Sequence, residues 1–364
     1  MAQVILTGAN GFLGWHVRAA LRAQSRDNAA LAVGNAFDAA RAAIAVSGSS
    51  RLIHLAGVNR GADDDIRDGN SRFATQVADA ITHADEPPST IVFANSTQSS
   101  NASVYGTAKV ASADILRKAA EAVGAEYLDV QLPNLFGEHG RPYYNAVTAT
   151  FCHLLSQGEQ AVVQLDRELT LLHAQDAADL LIGAVSLESV EALQVQETVS
   201  GLHGRLSQMA ALYDRGEIPD VSSAFDRNLF NTYRSYTFPN QAPVRLARHA
   251  DVRGSFFEIV RSHGGCGQSS FSTTEPGISR GDHFHRRKIE RFTVLAGAAT
   301  IALRRLFADE VYEFHVTGDE PVAVDMPTMW AHKITNDGSK MLYTSFWTNE
   351  IFNSEAPDTI EEAV

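Results

Sequence analysis

"VILTGANGFLGWHV" (residues 4–17) decides the fold of the first half of this chain. An apolar run with strand character, Val4–Thr7, leads into three glycines spaced three apart, and an apolar pattern of helical period resumes at Phe12. Gly8 permits a tight turn, and Gly11 lets backbone N–H groups approach a pyrophosphate. Gly14 lets the new helix sit close to the sheet, with its positive N-terminus facing the anion. Glycine-rich turns are common, so the spacing takes its meaning from the strand before it and the helix after it. The expected dinucleotide contacts are Gly8, Asn10, Gly11, Phe12, Leu13 and Gly14.

Outward from this turn the pattern repeats. Residues 4–8, 31–34, 51–57, 90–96 and 126–132 read as buried strands; 12–23, 70–83 and 106–123 carry helical apolar spacing between them. Such alternation predicts an α/β, Rossmann-type, doubly wound parallel sheet with helices on both faces. At the end of the second strand Gly34 and Asn35 stand where an acid would bind the ribose 2′-hydroxyl of NAD, so repulsion toward a 2′-phosphate is absent and NADPH is the expected cofactor. Further on, 136–145 reads as a loop, 145–157 as a helix, 161–173 as strands, 174–186 as a helix, and 216–243, with its mixed polarity and prolines, as a linker whose Phe and Tyr residues pack on one domain. From residue 244 short apolar alternations recur about every ten residues, the signature of an all-β sandwich or barrel. The expected domains are 1–242 and 243–364.

Composition narrows the partners. A net charge of −13 over 364 residues disfavours a nucleic-acid ligand, which needs a cationic face. There is no apolar run of about 18 residues to span a membrane. Met1 leads directly into "QVILTG" without a secretory pattern, so a cytoplasmic protein is expected, with Cys152 and Cys266 as reduced, partly buried thiols.

"NSTQSSNASVYGTAK" (95–109) follows the fourth strand. Tyr105 and Lys109 are four apart and share a helix face. An ammonium beside a phenol favours phenolate, so Tyr105 is expected to have a lowered pKa and to act as general acid. Ser96, or Thr97 beside it, would hold the carbonyl oxygen that receives the proton. Together with the N-terminal glycines this resembles the extended short-chain dehydrogenase/reductases; the resemblance implies that "HLAG" (54–57), through Leu55, Ala56 and Gly57, lines the cofactor, and it covers Asn70 as well.

A second chemistry lies downstream. In "GDHFHRRKIE" (281–290), His283 and His285 alternate along a strand, Glu290 follows five further on, and Gly297 ends the hairpin. His332 follows Pro327 by five and precedes Asn336 by four, with Met329 where glycine is usual. This two-part pattern resembles the cupin superfamily. Three imidazoles and a carboxylate suit Zn²⁺, though Fe, Mn and Ni also accept such a set. "DVRGSFFEIV" (251–260) and "SRGDH" (279–283) resemble the sugar-nucleotide 3,5-epimerase cupins, which implies that Arg253 meets a nucleotide diphosphate and leaves His283 open as either ligand or proton-abstracting base.

Over nearly the whole chain, "TGANGFLG", "HLAGVNR", "YGTAK", "LPNLFG", "YNAVTATFC", "ELTLLHAQD", "NTYRSY", "RGSFFE", "GDHFHRRKIERF" and "APDT" resemble the CapF/WbjC family of bifunctional capsular polysaccharide enzymes, a reductase fused to a cupin. The resemblance implies C3 epimerisation of UDP-2-acetamido-2,6-dideoxy-β-L-arabino-hexos-4-ulose by the cupin, NADPH-dependent C4 reduction, zinc in the cupin, and a homodimer formed through it. Asn134, Arg141 and Arg253 are then the expected substrate contacts. Two rival readings are a zinc cupin serving only to dimerise a reductase, and a cupin that is an iron oxygenase.

Overall fold

The computed structural model describes residues 3–364. They form two compact units: the chain to Phe136 with Gly140–Val147 and Glu168–Glu197, and Gly137–His139 with Thr148–Arg167 and Thr198–Val364.

The first unit contains β1 (Val4–Thr7), α1 (Phe12–Ala23), β2 (Asn28–Leu31), α2 (Ala39–Val46), β3 (Arg51–His54), α3 (Asp63–Thr82), β4 (Thr90–Ser96), α4 (Val104–Val123), β5 (Glu126–Leu132) and β6 (Asn134–Phe136). After α5 (Val147–Ser156), which groups almost wholly with the second unit, come β7 (Glu168–His173), α6 (Ala174–Ile182), a short α7 (Val190–Leu193) and β8 (Val195–Thr198). β1 to β5 make a parallel sheet of order β2-β1-β3-β4-β5. Alternating side chains cover its two faces. Val4, Leu6, Ile53, Val92 and Val130 pack with α1 and α6; Ile5, Leu52, Ile91 and Phe93 pack with α2, α3 and α4. The doubly wound expectation holds, and the chain crosses from one side of β1 to the other, which opens the crevice at the strand ends where the glycine turn lies.

Several boundaries differ from the sequence reading. β2 ends at Leu31 instead of 34, because Gly34 takes φ +79° and begins a 3₁₀ turn. The Gln76 side chain holds that turn, donating to Gly34 O at 3.0 Å and accepting from Gly34 N at 2.6 Å. α3 starts at Asp63 rather than 70; Asp63, Asp64 and Asp65 fill its first turn, where the helix dipole favours carboxylates. Of 161–173 only Glu168–His173 is strand.

In the second unit α8 (Val199–Tyr213) and α9 (Ala224–Thr237) precede the strands. The 216–243 segment is therefore not a plain linker. Ser223 caps α9 by accepting from Asp226 N, and Leu229, Phe230, Tyr233 and Arg234 are buried. Arg234 donates to Met326 O at 2.6 Å, and the buried Arg291 donates to Gly216 O at 2.7 Å. These bonds tie residues 216–237 to the β-rich stretch, and Thr198–Val364 group in one unit. The strands are β9 (Val244–Arg245), β10 (Arg248–Asp251), β11 (Gly254–Phe257), β12 (Gln268–Thr274), β13 (Ser279–Phe284), β14 (Glu290–Ala296), β15 (Ala298–Arg305), β16 (Val311–Thr317), β17 (Val322–Met326), β18 (Trp330–Asn336), β19 (Leu342–Thr348) and β20 (Ile360–Glu361). Two five-stranded sheets, β12-β19-β14-β17-β9 and β16-β15-β18-β13-β20, enclose a core of Phe292, Val294, Ile301, Leu303, Val324 and Ile334, as an all-β cupin jelly roll requires. β10 and β11 pair only with each other among the described residues.

Candidate functional site

At the end of β1, Gly8 adopts φ +66°, and a Cβ on Gly14 would lie 2.1 Å from Gly8 O. Only glycine allows this approach of helix to turn. Gly11 is the N-cap of α1, so the free N–H groups of the turn face outward at the strand end. Asn10, exposed, accepts from Arg18. Thr7, which sequence reasoning did not single out, organises the opposite wall. Its Oγ1 accepts from Leu55 N and Ala56 N at 3.0 and 3.2 Å and lies 2.7 Å from His54 Nδ1. With two N–H groups already donated to it, the hydroxyl proton goes to His54. Burial, then the charge of Lys109, keeps that imidazole neutral, its pKa pulled down to about 3. Asn70 fastens the same segment to α3, donating to Val58 O and Ile66 O and accepting from Val58 N.

Asn35 follows β2 in the 3₁₀ turn, exposed, and accepts from Arg72 Nη1 at 3.1 Å. This arginine, 37 residues along the chain, carried no local signal in the sequence; its guanidinium can pair bidentately with a phosphate.

Ser96 ends β4, its hydroxyl accepting from Gln98 N at 3.2 Å to cap a 3₁₀ turn that includes the exposed Thr97. Lys109, 5% exposed, donates from Nζ to Ala94 O at 2.7 Å and lies 4.0 Å from the centre of the Phe93 ring. Burial pulls its pKa to about 7, against a smaller opposing effect of Asp129. Tyr105 differs from expectation. Burial, then the neighbouring Tyr144, pushes its pKa up rather than down. The physical reason is burial, which penalises the phenolate, while the Lys109 ammonium is committed to Ala94 O. The phenol is thus held as a proton donor. Asn134, at the start of β6, donates to Thr170 O, and the exposed Arg141 lies 5.0 Å from the Tyr144 ring.

In the second unit a bulge between Gly281 and His283 sets the metal-type cluster. Gly281 takes φ +116°, and a Cβ there would lie 2.5 Å from His332 O, so β13 can approach β18 only with glycine. His283 is thereby paired opposite His332, and His285 follows just beyond the strand. Glu290 opens β14 in the facing sheet. One ligand atom from each of His283, His285, Glu290 and His332 lies within 4.8 Å of the others. Glu290 Oε2 is 3.0 Å from His285 Nε2 and 3.2 Å from His332 Nε2.

The donor chemistry fits a cation. Both rings have Nδ1 against a backbone carbonyl, His285 at Asp358 O and His332 at Trp330 O, so in the neutral tautomer each turns a lone pair at Nε2 toward the carboxylate. Lone pairs facing a carboxylate need shared positive charge. Burial would raise the Glu290 pKa, but positive charge shared with His285 and His332 outweighs it and holds the carboxyl far below its usual range; with the rings neutral, a cation takes the place of their Nε2 protons. Burial, then His332 and His285, pulls His283 down to about 4, a neutral ring with a lone pair available. Met329 takes the φ of +60° that favours glycine, and its N donates to His285 O at 2.7 Å, so the departure from the usual residue leaves the turn intact.

Arg253 is placed on the exposed β10–β11 hairpin, ion-paired with Asp251 at 2.5 Å. Cys152 is buried as expected; Cys266 is exposed, unlike the expectation. Among the described residues no helix is long and apolar enough to cross a membrane.

Comparison with known proteins agrees with this arrangement. Residues 4–195 match the NAD dependent epimerase/dehydratase family, and residues 249–360 match the polysaccharide biosynthesis C-terminal domain. The chain is 29% identical over 375 residues to a UDP-2-acetamido-2,6-beta-L-arabino-hexul-4-ose reductase of Pseudomonas aeruginosa, covering 98% of this chain and 97% of the relative. The capsular polysaccharide assembling protein CapF of Staphylococcus aureus has a crystal structure that superposes with a TM-score of 0.61 at 30% identity, each chain covered in full at 100%. A UDP-N-acetylglucosamine 4-epimerase of Bacillus cereus, 17% identical, shares the fold of the first part with a TM-score of 0.51 over 58% of this chain and 82% of its own.

Proposed function

Because this chain belongs to the CapF family, and in its first half to the NAD dependent epimerase/dehydratase family, we propose that it is a bifunctional UDP-sugar enzyme. Its substrate is UDP-2-acetamido-2,6-dideoxy-β-L-arabino-hexos-4-ulose. The cupin inverts C3, and the reductase then converts the C4 ketone to give UDP-N-acetyl-6-deoxy-L-talosamine for N-acetyl-L-fucosamine in capsular or O-antigen polysaccharide. One observation carries the reading. This chain matches a full-length relative and itself sets half-buried Tyr105 and buried Lys109 on one helix beside the parallel sheet and a His₃Glu cluster in a jelly roll.

The proton at C3 is acidic because it lies α to the C4 carbonyl. A histidine in the cluster, His283 in this reading, takes it if it is the base; if His283 is a ligand, it orients the centre. His285, Glu290 and His332 hold the metal in both cases, and zinc suits the set. When bound, NADPH supplies the hydride and the metal supplies positive charge beside the oxygen where negative charge develops. Tyr105 Oη protonates the C4 oxygen, Ser96 Oγ orients it, and Lys109 Nζ, poised near neutrality, relays the replacement proton. The glycine turn, Asn10, Phe12, Leu13 and the Leu55–Gly57 wall seat the dinucleotide. The Asn35–Arg72 pair supports NADPH over NADH, since it offers an amide and a guanidinium to a 2′-phosphate. Asn134, Arg141 and Arg253 are proposed to contact the substrate. The self-paired β10–β11 hairpin, with Phe256 69% exposed, supports a second copy of the chain as partner of the cupin.

The test is incubation with the keto-sugar in D₂O, with and without NADPH, followed by NMR. Deuterium at C3 without NADPH, and reduction at C4 with it, is the expected result. Reduction without any exchange would leave the cupin a dimerisation module.

A further inference from the structure

His285 is gripped from behind by the end of the chain. Its Nδ1 lies 2.5 Å from the backbone carbonyl oxygen of Asp358. A carbonyl only accepts, so Nδ1 carries the ring proton and Nε2 is left to face Glu290 at 3.0 Å. Asp358 aims that carbonyl from a left-handed backbone, φ +47°, a conformation strained for a non-glycine residue.

The residue's own side chain holds it there. The Asp358 carboxylate, its side chain only 3% exposed, accepts from Arg286 N at 3.0 Å and from Arg287 N and Lys288 N at 2.8 Å each. Those three successive amides belong to the connection between His285 and Glu290. One residue therefore fixes two things: the loop that spaces two of the donors, and the tautomer of one of them. The segment that presents Asp358 is fastened in turn. Lys288 Nζ donates to Pro357 O and Arg287 Nη2 to Ala356 O, both at 2.8 Å, while Arg287 pairs with Glu350 at 3.0 Å.

We propose that Asp358 is a positioning residue of the metal centre, holding His285 in its Nδ1-protonated form so that Nε2 coordinates, and fixing the His285–Glu290 spacing through its carboxylate. The inference rests on the ligand assignment made above. It also assigns a role to "APDT" (356–359), a segment more than 20 residues beyond the last ligand and outside both parts of the HxH…E and His pattern. Partners that orient ligating histidines change metal affinity by about 10–100-fold when removed.

The experiment uses the full-length protein, stripped and reloaded with cobalt(II). Affinity is read by competition with a chelator, and geometry by the visible d–d spectrum, for the wild type, Asp358→Asn, Asp358→Ala and His332→Ala. The asparagine keeps the shape but turns an N–H donor toward backbone amides. Cobalt bound at least tenfold more weakly by Asp358→Asn, with altered band intensities, is expected. Wild-type affinity and spectrum in both Asp358 variants would overturn the proposal. Should the alanine variant misfold, a measurement on unaltered protein decides: long-range ¹⁵N–¹H NMR of zinc-loaded, histidine-labelled enzyme. A His285 ring protonated at Nδ1 supports the proposal, and one protonated at Nε2 overturns it. Failure of the ligand assignment itself is distinguishable, because His332→Ala would then bind cobalt as the wild type does, and both readings fall together.

Discussion

Replacing Lys109 with methionine should make the reductase unit more stable at neutral pH while destroying its activity. The amine is 5% exposed and its pKa falls from the ordinary 10.5 to about 7 through burial. Each pH unit between those values corresponds to about 1.4 kcal/mol. At pH 7, folding therefore costs on the order of 5 kcal/mol that a neutral side chain does not incur. Methionine removes this cost but leaves Ala94 O without its 2.7 Å donor, a loss of roughly 1–3 kcal/mol for a buried acceptor. The variant should thus be about 2–4 kcal/mol more stable at pH 7. The sign of the pH dependence is fixed by linkage. Because the folded pKa lies below the unfolded one, the unfolded chain holds the extra proton between about pH 7 and 10.5, and wild-type stability rises with pH across that window. The advantage of the variant should shrink as pH rises and cross zero at about pH 9. Hydrogen exchange of peptides from β4 and α4, corrected for intrinsic rates and compared between the two proteins from pH 6.5 to 9.5, reads this difference directly. NADPH oxidation should fall by about 10²–10⁴-fold. A stability difference that does not change with pH, or a variant that still reduces, would refute the view of Lys109 as a buried, nearly neutral relay.

Tyr105→Phe should abolish NADPH oxidation while C3 exchange in D₂O continues, whereas His283→Ala should stop exchange with NADPH binding intact; loss of both reactions in Tyr105→Phe would defeat the division of labour. The metal content of His283→Ala separates its two roles, since a base can be removed with zinc retained and a ligand cannot, while His332→Ala should lose zinc outright. Arg72→Ala should raise the KM for NADPH by about 10–100-fold, the equivalent of one charge-assisted phosphate contact, and Asn35→Asp should move preference toward NADH; unchanged ratios in both would show that the 2′-phosphate lies elsewhere. Thr328→Val should destabilise the second unit by about 1–3 kcal/mol in urea denaturation, because it removes the 2.8 Å donor to the fully buried Glu138.

What was legible in the sequence followed how local each instruction is. α1, β4 and β5 lie at their expected residues because short-range pattern alone defines a buried strand or a glycine-started helix. α9 was hidden because its buried face is interrupted by Asn, Thr and Arg, whose burial depends on partners elsewhere, such as Asn231 on Arg287 O. The four metal-type donors were legible from spacing, since a strand's period of two and a hairpin's glycine fix where side chains point. The pKa of Tyr105 was not. Sequence gives the neighbour, but burial sets the direction, and burial is a property of the whole fold.

The turn that delivers His332 is held by parts of the chain that lie before the β-rich stretch. Met329 holds φ +60° with a fully buried side chain, a conformation that glycine would adopt freely. Four long-range contacts keep it there. Met329 N donates to His285 O, Leu306 N donates to Met329 O, Thr328 donates to Glu138, and Arg234 donates to Met326 O just before the turn. Two of these partners, Glu138 and Arg234, come from parts of the chain that precede the β-rich stretch by sequence yet fold within its unit. A jelly roll beginning at residue 243 would lack both supports. The cluster of His283, His285, Glu290 and His332 therefore depends on residues on both sides of the boundary that composition suggests, and the segments 137–139 and 198–242 group with the unit that carries this metal-type cluster.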